Sequence, residues 1–386
     1  MNVDGFNVIA PDREKHREAL AAISSRMTER HVDWETSSVG LIDNTMVTNW
    51  GVFEITLRIG TARVKAAGVD CVETHSEYRK LGLMRKTALS SLEAMRQNGY
   101  DISLLLGIEH FYGRFGYVSG WPQYEFYVEV DHLPSQELAF ELCEFIEHRD
   151  DLAEIYNRQN ATLTGTAVRP TYRGFKWPGM HQGYLWLDGR GESLGYVVGD
   201  FKGRDQNNKC VEILDAAGDP EQILGVLAGL ARKWSFERVY FLRLPFNSLM
   251  AQYLRSANCR ISTKHKKQGG HMIRIVNLKT LFEKLAGELS LRLGKSYLEN
   301  WNGDLLISCN DEKIMLSMCG SNVRVAAPGQ TEHSIQGGDD MARLIVGSES
   351  PNEIVALSNM VLSGDALRLV EVLFPKQYPQ ISGADL

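Results

Sequence analysis

The chain has 386 residues, 44% of them hydrophobic and 23% charged, with a formal net charge of −6. That composition is ordinary for globular proteins and its length predicts two to three domains. The longest clean apolar run, 223–231, is far short of the ~20 residues that span a bilayer, and the acidic balance argues against a nucleic-acid partner.

The beginning, MNVDGFNVIAPDREK, lacks a basic region followed by an apolar one, so no secretory signal is expected. Six dispersed cysteines form no C-x-x-C pair and are expected to be reduced thiols of a cytoplasmic protein. No tight His/Cys ligand spacing occurs, so no metal is expected.

In chain order, residues 12–29 have helical apolar spacing behind Pro11-Asp12. Strand-like runs follow at 40–43 and 52–59. The second turns at Gly60-Thr61 and continues through ARVKAAGVDCVET, a hairpin whose second arm becomes a buried strand. After the polar loop ETHSEYRKLGLMRK comes a helix that ends at Gly99, as a glycine in the left-handed cap position would end it. ISLLLG, EHFYGRFGY and QYEFYVEV complete a mixed α/β domain over 1–145.

A second series starts at LAEIYNRQNATLTG. It gives a hairpin, the strand CVEILDAA, a helix from Asp219, the strand RVYFLRL, a helix from Asn247 and a strand GGHMIRIVN. The order repeats that of the first domain with almost no identity, so 146–279 reads as a second copy. Residues 280–386 change character: a helix, short strands (DLLISCN, KIMLSMCG, VRVAA), three helical runs at 339–347, 352–364 and 365–374, then an extended prolyl tail. The fold class is α/β (α+β) throughout.

In the loop, Gly82 sits where a strand exit turns into a helix, among Arg79, Lys80, Arg85 and Lys86. A helix N-terminus leaves backbone N–H groups without partners and carries partial positive charge, which suits a phosphate. From those residues alone the loop fits either an anion site or a solvated turn. The second copy is an internal control. There the sequence reads AAGDPEQIL, with no Arg or Lys, and Asp219 is placed to satisfy the same N–H groups from within.

Val72, Thr74, Arg79, Gly82 and Leu83, as V-x-T-x-x-x-x-R-x-x-G-L, resemble the acetyl-CoA signature of GNAT acetyltransferases. Tyr112 to Tyr117, YGRFGY, resembles their Y-x-x-x-G-[FY] element. The whole-chain plan is similar to Eis-type acetyltransferases (enhanced intracellular survival proteins): two tandem GNAT-like mixed-sheet domains, the second without its CoA motif, and a sterol-carrier-protein-like α+β domain. The FPKQYP tail also resembles that family's ending.

The resemblance implies an N-acetyltransferase that moves acetyl from acetyl-CoA to a primary amine of an aminoglycoside, polyamine or lysine-like acceptor. Val72, Glu73 and Thr74 would pair with pantetheine through main chain, in a gap where their strand splays from its neighbour. Arg79, Lys80, Leu81, Gly82, Leu83, Met84 and Arg85 would wrap the pyrophosphate. Met84 and Gly107 depart from the general pattern, which has a small residue and often a serine there. Tyr112 matches the general acid, with Tyr117 its local competitor. The main-chain carboxylate of Leu386 matches the family's base, with Glu73 and His75 as fallbacks. Asp33 and Trp34, after His31, are candidates for holding a cationic amine, or equally for a cap and a packed indole. The family forms symmetric homo-oligomers, so a trimer or hexamer is expected. A lipid or sterol carrier and a non-catalytic CoA-binding protein are the competing readings.

Overall fold

The structure is a computed structural model describing residues 4–23, 32–134, 141–142, 148–172, 182–201 and 209–385. It divides into two compact units. One comprises 1–57, 62–120 and 266–376, and the other 58–61, 121–265 and 377–386. No described helix is long and apolar enough to cross a membrane.

The first unit holds a mixed sheet in the order Asn7–Ile9, Ser38–Ile42, Thr45–Ile59, Ala62–Thr74, Ile102–Gly107, Gly270–Ile275, Val118–Ser119. Asp43 and Asn44, both at positive φ (48° and 62°), make the first hairpin turn, a conformation these two residue types tolerate. The strand after it therefore begins at Thr45, earlier than the 52–59 run predicts. Gly60 (φ 57°) makes the second turn, as expected. The helix expected over 12–29 spans Arg17–Ile23; its later residues lie outside those described.

Helix Leu83–Gln97 buries Met84, Ala88, Leu92 and Met95 against the sheet, together with Trp50, Val69, Leu105 and Tyr112. Those positions fall at the three- and four-residue spacing of one helix face. Fully burying one such aliphatic side chain contributes roughly 1.5–3 kcal/mol.

A second, five-stranded sheet in the same unit runs Asn322–Ala326, Glu312–Cys319, Asn302–Cys309, Ser334–Gly337, Val361–Ser363. The run expected to be helical over 352–364 splits. Pro351 and a Ser350–Glu353 capping box start a helix that stops at Leu357, and Val361–Ser363 becomes an edge strand paired with Ser334–Gln336. Helix Leu278–Gly294 is fastened to the start of strand Ile102–Gly107: buried Asp101 receives Thr280 Oγ1 at 2.7 Å and Lys284 Nζ at 2.5 Å.

The other unit's sheet runs Arg260–Lys264, Gln123–Glu129, Arg238–Leu242, Cys210–Ala217, Ser193–Gly199, Gln182–Leu187, Glu141–Leu142. Helix Pro220–Trp234 supplies most of its core, including Ile223, Leu224, Leu227 and Leu230.

The two sheets share one order around a parallel pair, Ala62–Thr74 with Ile102–Gly107 and Cys210–Ala217 with Arg238–Leu242. Strand membership differs from the expectation. Gln123–Glu129, expected in the first domain, lies in the second sheet between Arg238–Leu242 and Arg260–Lys264. Gly270–Ile275, expected in the second, lies in the first sheet between Ile102–Gly107 and Val118–Ser119. Alternating hydrophobicity marks a strand and its buried face but carries no information about which sheet receives it.

Candidate functional site

The parallel strands Ala62–Thr74 and Ile102–Gly107 pair from Ala66↔Ile102 to Val69↔Leu105 and no further, although both run on. Strand Gly270–Ile275 holds the second arm on its far side up to Gly107. The first arm changes course at Cys71, which adopts φ 55°. Buried Asn49 steadies that bend by donating Nδ2 to the Cys71 carbonyl at 2.7 Å. A non-glycine residue at positive φ is uncommon, and strain of this kind collects at functional sites. Beyond the bend, Val72, Glu73 and Thr74 are not paired with the end of the second arm. Strand ends that part in this way are where an extended ligand can add main-chain hydrogen bonds as a strand would.

The first arm leads into the loop. Ser76–Tyr78 form one 3₁₀ turn, Lys80 lies at φ 65° and Gly82 at φ 77°. Arg79 folds back to donate Nε to the Thr74 carbonyl at 3.1 Å. Helix Leu83–Gln97 then starts with Gly82 as its N-cap and no side-chain cap bond. A Cβ on Gly82 would meet nothing within 4 Å, so a ligand can approach the backbone there. Lys80, Leu81 and Arg85 are exposed, whereas Leu83 and Met84 are buried and anchor the turn to the core. In the other unit, Asp219 Oδ1 accepts the Gln222 N–H at 3.1 Å and Pro220 takes the first helical position. One helix entrance is open to an anion and the other is closed by a carboxylate.

Tyr112 begins the 3₁₀ turn Tyr112–Phe115. Its ring is buried, edge-on to Trp50 at 5.9 Å and Phe111 at 4.8 Å. No described residue hydrogen-bonds its hydroxyl. Burial first, and the Asp70 carboxylate second, push its pKa up to about 12. Gly107 lies against this ring. A Cβ there would stand 2.5 Å from Met272 Sδ and 3.0 Å from Tyr112 Cδ2, so a larger residue at this position would have to displace the Met272 side chain. Tyr117 is committed elsewhere: buried, its hydroxyl is 2.6 Å from Ser103 Oγ, and burial raises its pKa strongly. Glu73 is raised by partial burial, against the Arg79 charge, with Asp70 adding to the rise. His75 is exposed and edge-on to Tyr78 at 5.8 Å.

The acceptor candidates have structural tasks. Asp33 Oδ1 accepts the N–H groups of Glu35 and Thr36 at 3.1 and 3.2 Å, and Oδ2 takes the Tyr100 hydroxyl. Trp34 packs half-buried on the cluster of Leu20, Val32, Val39 and Phe53. His31 and Leu386 lie outside the described residues. The roles of Asn49 and Trp50 were invisible to motif reading, since the short TMVTNWG run carries no chemical signature.

Residues 13–119, less than a third of the chain, match the family of acetyltransferase (GNAT) domains. Among curated proteins no match is found. Three solved structures share the fold over nearly the whole length. A GCN5-related N-acetyltransferase from Anabaena variabilis is 18% identical, with a TM-score of 0.76 over 97% of this chain and 99% of its own. A conserved protein of Enterococcus faecalis, described as a probable N-acyltransferase, is 14% identical with a TM-score of 0.76 over 98% of each chain. Eis1 from Mycobacterium abscessus is 14% identical with a TM-score of 0.68 over 97% of this chain and 98% of its own. The first unit thus carries a GNAT acetyltransferase domain, and the chain is an acyltransferase.

Proposed function

We propose that the protein is an N-acetyltransferase of the Eis type, taking acetyl from acetyl-CoA to a primary amine. The observation that carries this reading is the pairing that stops at Val69/Leu105 beside a helix entrance without a side-chain cap and a buried tyrosine whose hydroxyl no described residue engages. Val72, Glu73 and Thr74 would hold the pantetheine arm through main chain. The turn from Arg79 to Arg85 would hold the pyrophosphate, mostly through its N–H groups.

The thioester supplies the acetyl group when bound. A neutral amine attacks its carbonyl carbon, the new C–N bond forms, the C–S bond breaks and the sulfur leaves as thiolate. Tyr112 gives its phenolic proton to that sulfur. A phenol already holds its proton throughout the neutral range at its ordinary pKa near 10, and burial pushes Tyr112 further up, so the proton leaves only as charge builds on the departing sulfur.

The main-chain carboxylate of Leu386 is our proposal for the group that takes the amine proton. It rests on the family resemblance, with Glu73 as the alternative inside the first unit. Amidating the C-terminus separates the two, because full activity of the amidated protein removes Leu386 from the mechanism. The resemblance also carries a symmetric trimer or hexamer, tested by sedimentation.

An amine panel of aminoglycosides, polyamines and lysine peptides, assayed by release of free CoA, tests the function. Calorimetry with acetyl-CoA that shows no binding would remove the reading.

A further inference from the structure

The second copy has the same diverging strands as the first, and something already lies in its opening. Strands Cys210–Ala217 and Arg238–Leu242 pair only from Cys210↔Arg238 to Ile213↔Phe241. Past that point the chain's own tail bridges the two arms. On the first arm, Asp215 Oδ1 accepts the Ser382 hydroxyl at 3.1 Å. Beyond the second arm, Tyr378 stacks on Phe246 at 5.1 Å and the Gln377 carbonyl accepts Asn247 Nδ2 at 3.3 Å. Gln380 and Ile381 are fully buried. The tail passes so close to Gly165 that a Cβ there would stand 2.4 Å from the Gln380 nitrogen. A cavity of about 40 Å³ remains between the arms, lined by Asp215, Arg243, Gln380 and Ser382 among others.

The end of the tail is clasped. Arg169, 4% exposed, forms a two-pronged pair with Asp385, Nε to Oδ1 and Nη2 to Oδ2, both 2.8 Å. The same guanidinium donates to Asp215 Oδ2 at 2.7 Å and to the Tyr196 hydroxyl at 2.9 Å, and lies 3.4 Å above the Tyr156 ring. A buried arginine with two carboxylates and aromatic faces is a built receptor for one acidic side chain.

We infer that the second GNAT-like copy is a peptide-binding module whose ligand is residues 377–385, lodged where the first copy offers its cofactor gap. Arg169 is the residue that selects this ligand, through Asp385. The module's loss of a phosphate cradle, closed by Asp219, and its gain of a peptide clasp are two halves of one change of use. The inference rests on this fold and its contacts and needs no assumption about acetyl transfer.

The test uses the chain lacking 377–386, checked for cooperative unfolding, and the synthetic decapeptide QYPQISGADL. Expected is one-to-one binding with a dissociation constant on the order of micromolar. A peptide carrying Asp385→Asn should bind about 100-fold or more weakly, the scale of losing one partner of a buried pair. Failure of the folded, truncated chain to take up the peptide near millimolar concentration overturns the inference. If truncation prevents folding, hydrogen exchange on the full chain decides. Asp385→Asn should speed exchange at the amides of 380–383 by about 100-fold while those of Ile102–Leu105 stay unchanged, and equal exchange at 380–383 overturns it. Both readouts are made without acetyl-CoA, so an inactive enzyme with a docked tail refutes the proposed function alone.

Discussion

Replacing Gly82 by alanine isolates backbone conformation from charge. Gly82 holds φ 77° and ψ 2°, and an added Cβ would touch nothing within 4 Å, so no clash contributes. The left-handed conformation costs a β-carbon-bearing L-residue roughly 1–2 kcal/mol. If the loop keeps its path, that energy is lost from folding stability. If the loop relaxes, it is lost from cofactor affinity as a factor of roughly 5–30, at 1.4 kcal/mol per decade. The helix is anchored by buried Leu83 and Met84 while the turn before it is exposed, so relaxation in the loop is expected to dominate. KM for acetyl-CoA at saturating amine should therefore rise by about that factor, with Tm nearly unchanged. Asparagine, which tolerates this conformation, should recover most of the loss. Arg79→Ala should cost less, because an exposed charge contributes at most about 1 kcal/mol. Initial rates and direct calorimetry on the three variants measure this. A larger loss in Arg79→Ala than in Gly82→Ala, or no difference between alanine and asparagine, refutes a site built from backbone.

Tyr112→Phe should lower kcat by roughly 10²–10⁴-fold with little change in acetyl-CoA affinity, and unchanged kcat removes the acid assignment. Because the folded pKa of Tyr112 is raised to about 12, its contribution to stability is fully present below the ordinary tyrosine value near 10 and is lost as pH rises toward 12. Tyr112→Phe should therefore flatten part of the alkaline fall in Tm, read by thermal melts across pH 9–12. Gly107→Ser should destabilise by about 1–3 kcal/mol by forcing a side chain onto Met272 and the Tyr112 ring, lowering both Tm and kcat. Asp219→Ala should cost about 1 kcal/mol of stability as a lost N-cap and leave acetyl-CoA stoichiometry at one per chain; a second equivalent bound would show that the cap alone had closed that site.

The turn, its glycine and the tyrosine were legible because their chemistry is local: a glycine before a helix, basic neighbours, and an aromatic cluster within six residues. The contrast between Gly82 and Asp219 was equally legible, since an N-cap is read from one residue and the helix after it. Two things were not. The strands 123–129 and 270–275 announce themselves as strands, but pairing partners far apart in sequence leave no trace in alternation. Arg169, Asp215 and Asp385 sit on three distant segments, each looking like one more surface charge until the fold buries them together. Asp33, read as a partner for a cationic amine or equally as a cap, spends its oxygens on Tyr100 and its own loop.

The crossed placement of those two strands has a consequence for anyone handling the gene. A fragment ending near residue 145 would keep Val118–Ser119 and Ile102–Gly107 but lack the strand that lies between them. It would expose two unpaired backbone rows while carrying Gln123–Glu129, whose sheet is missing. Open edges of that kind recruit other chains, so such a fragment should aggregate. The boundary at which sequence invites a cut is the wrong place to make one. Expression, crystallography and directed evolution of the acetyltransferase part should all begin from a chain that retains residues through 275.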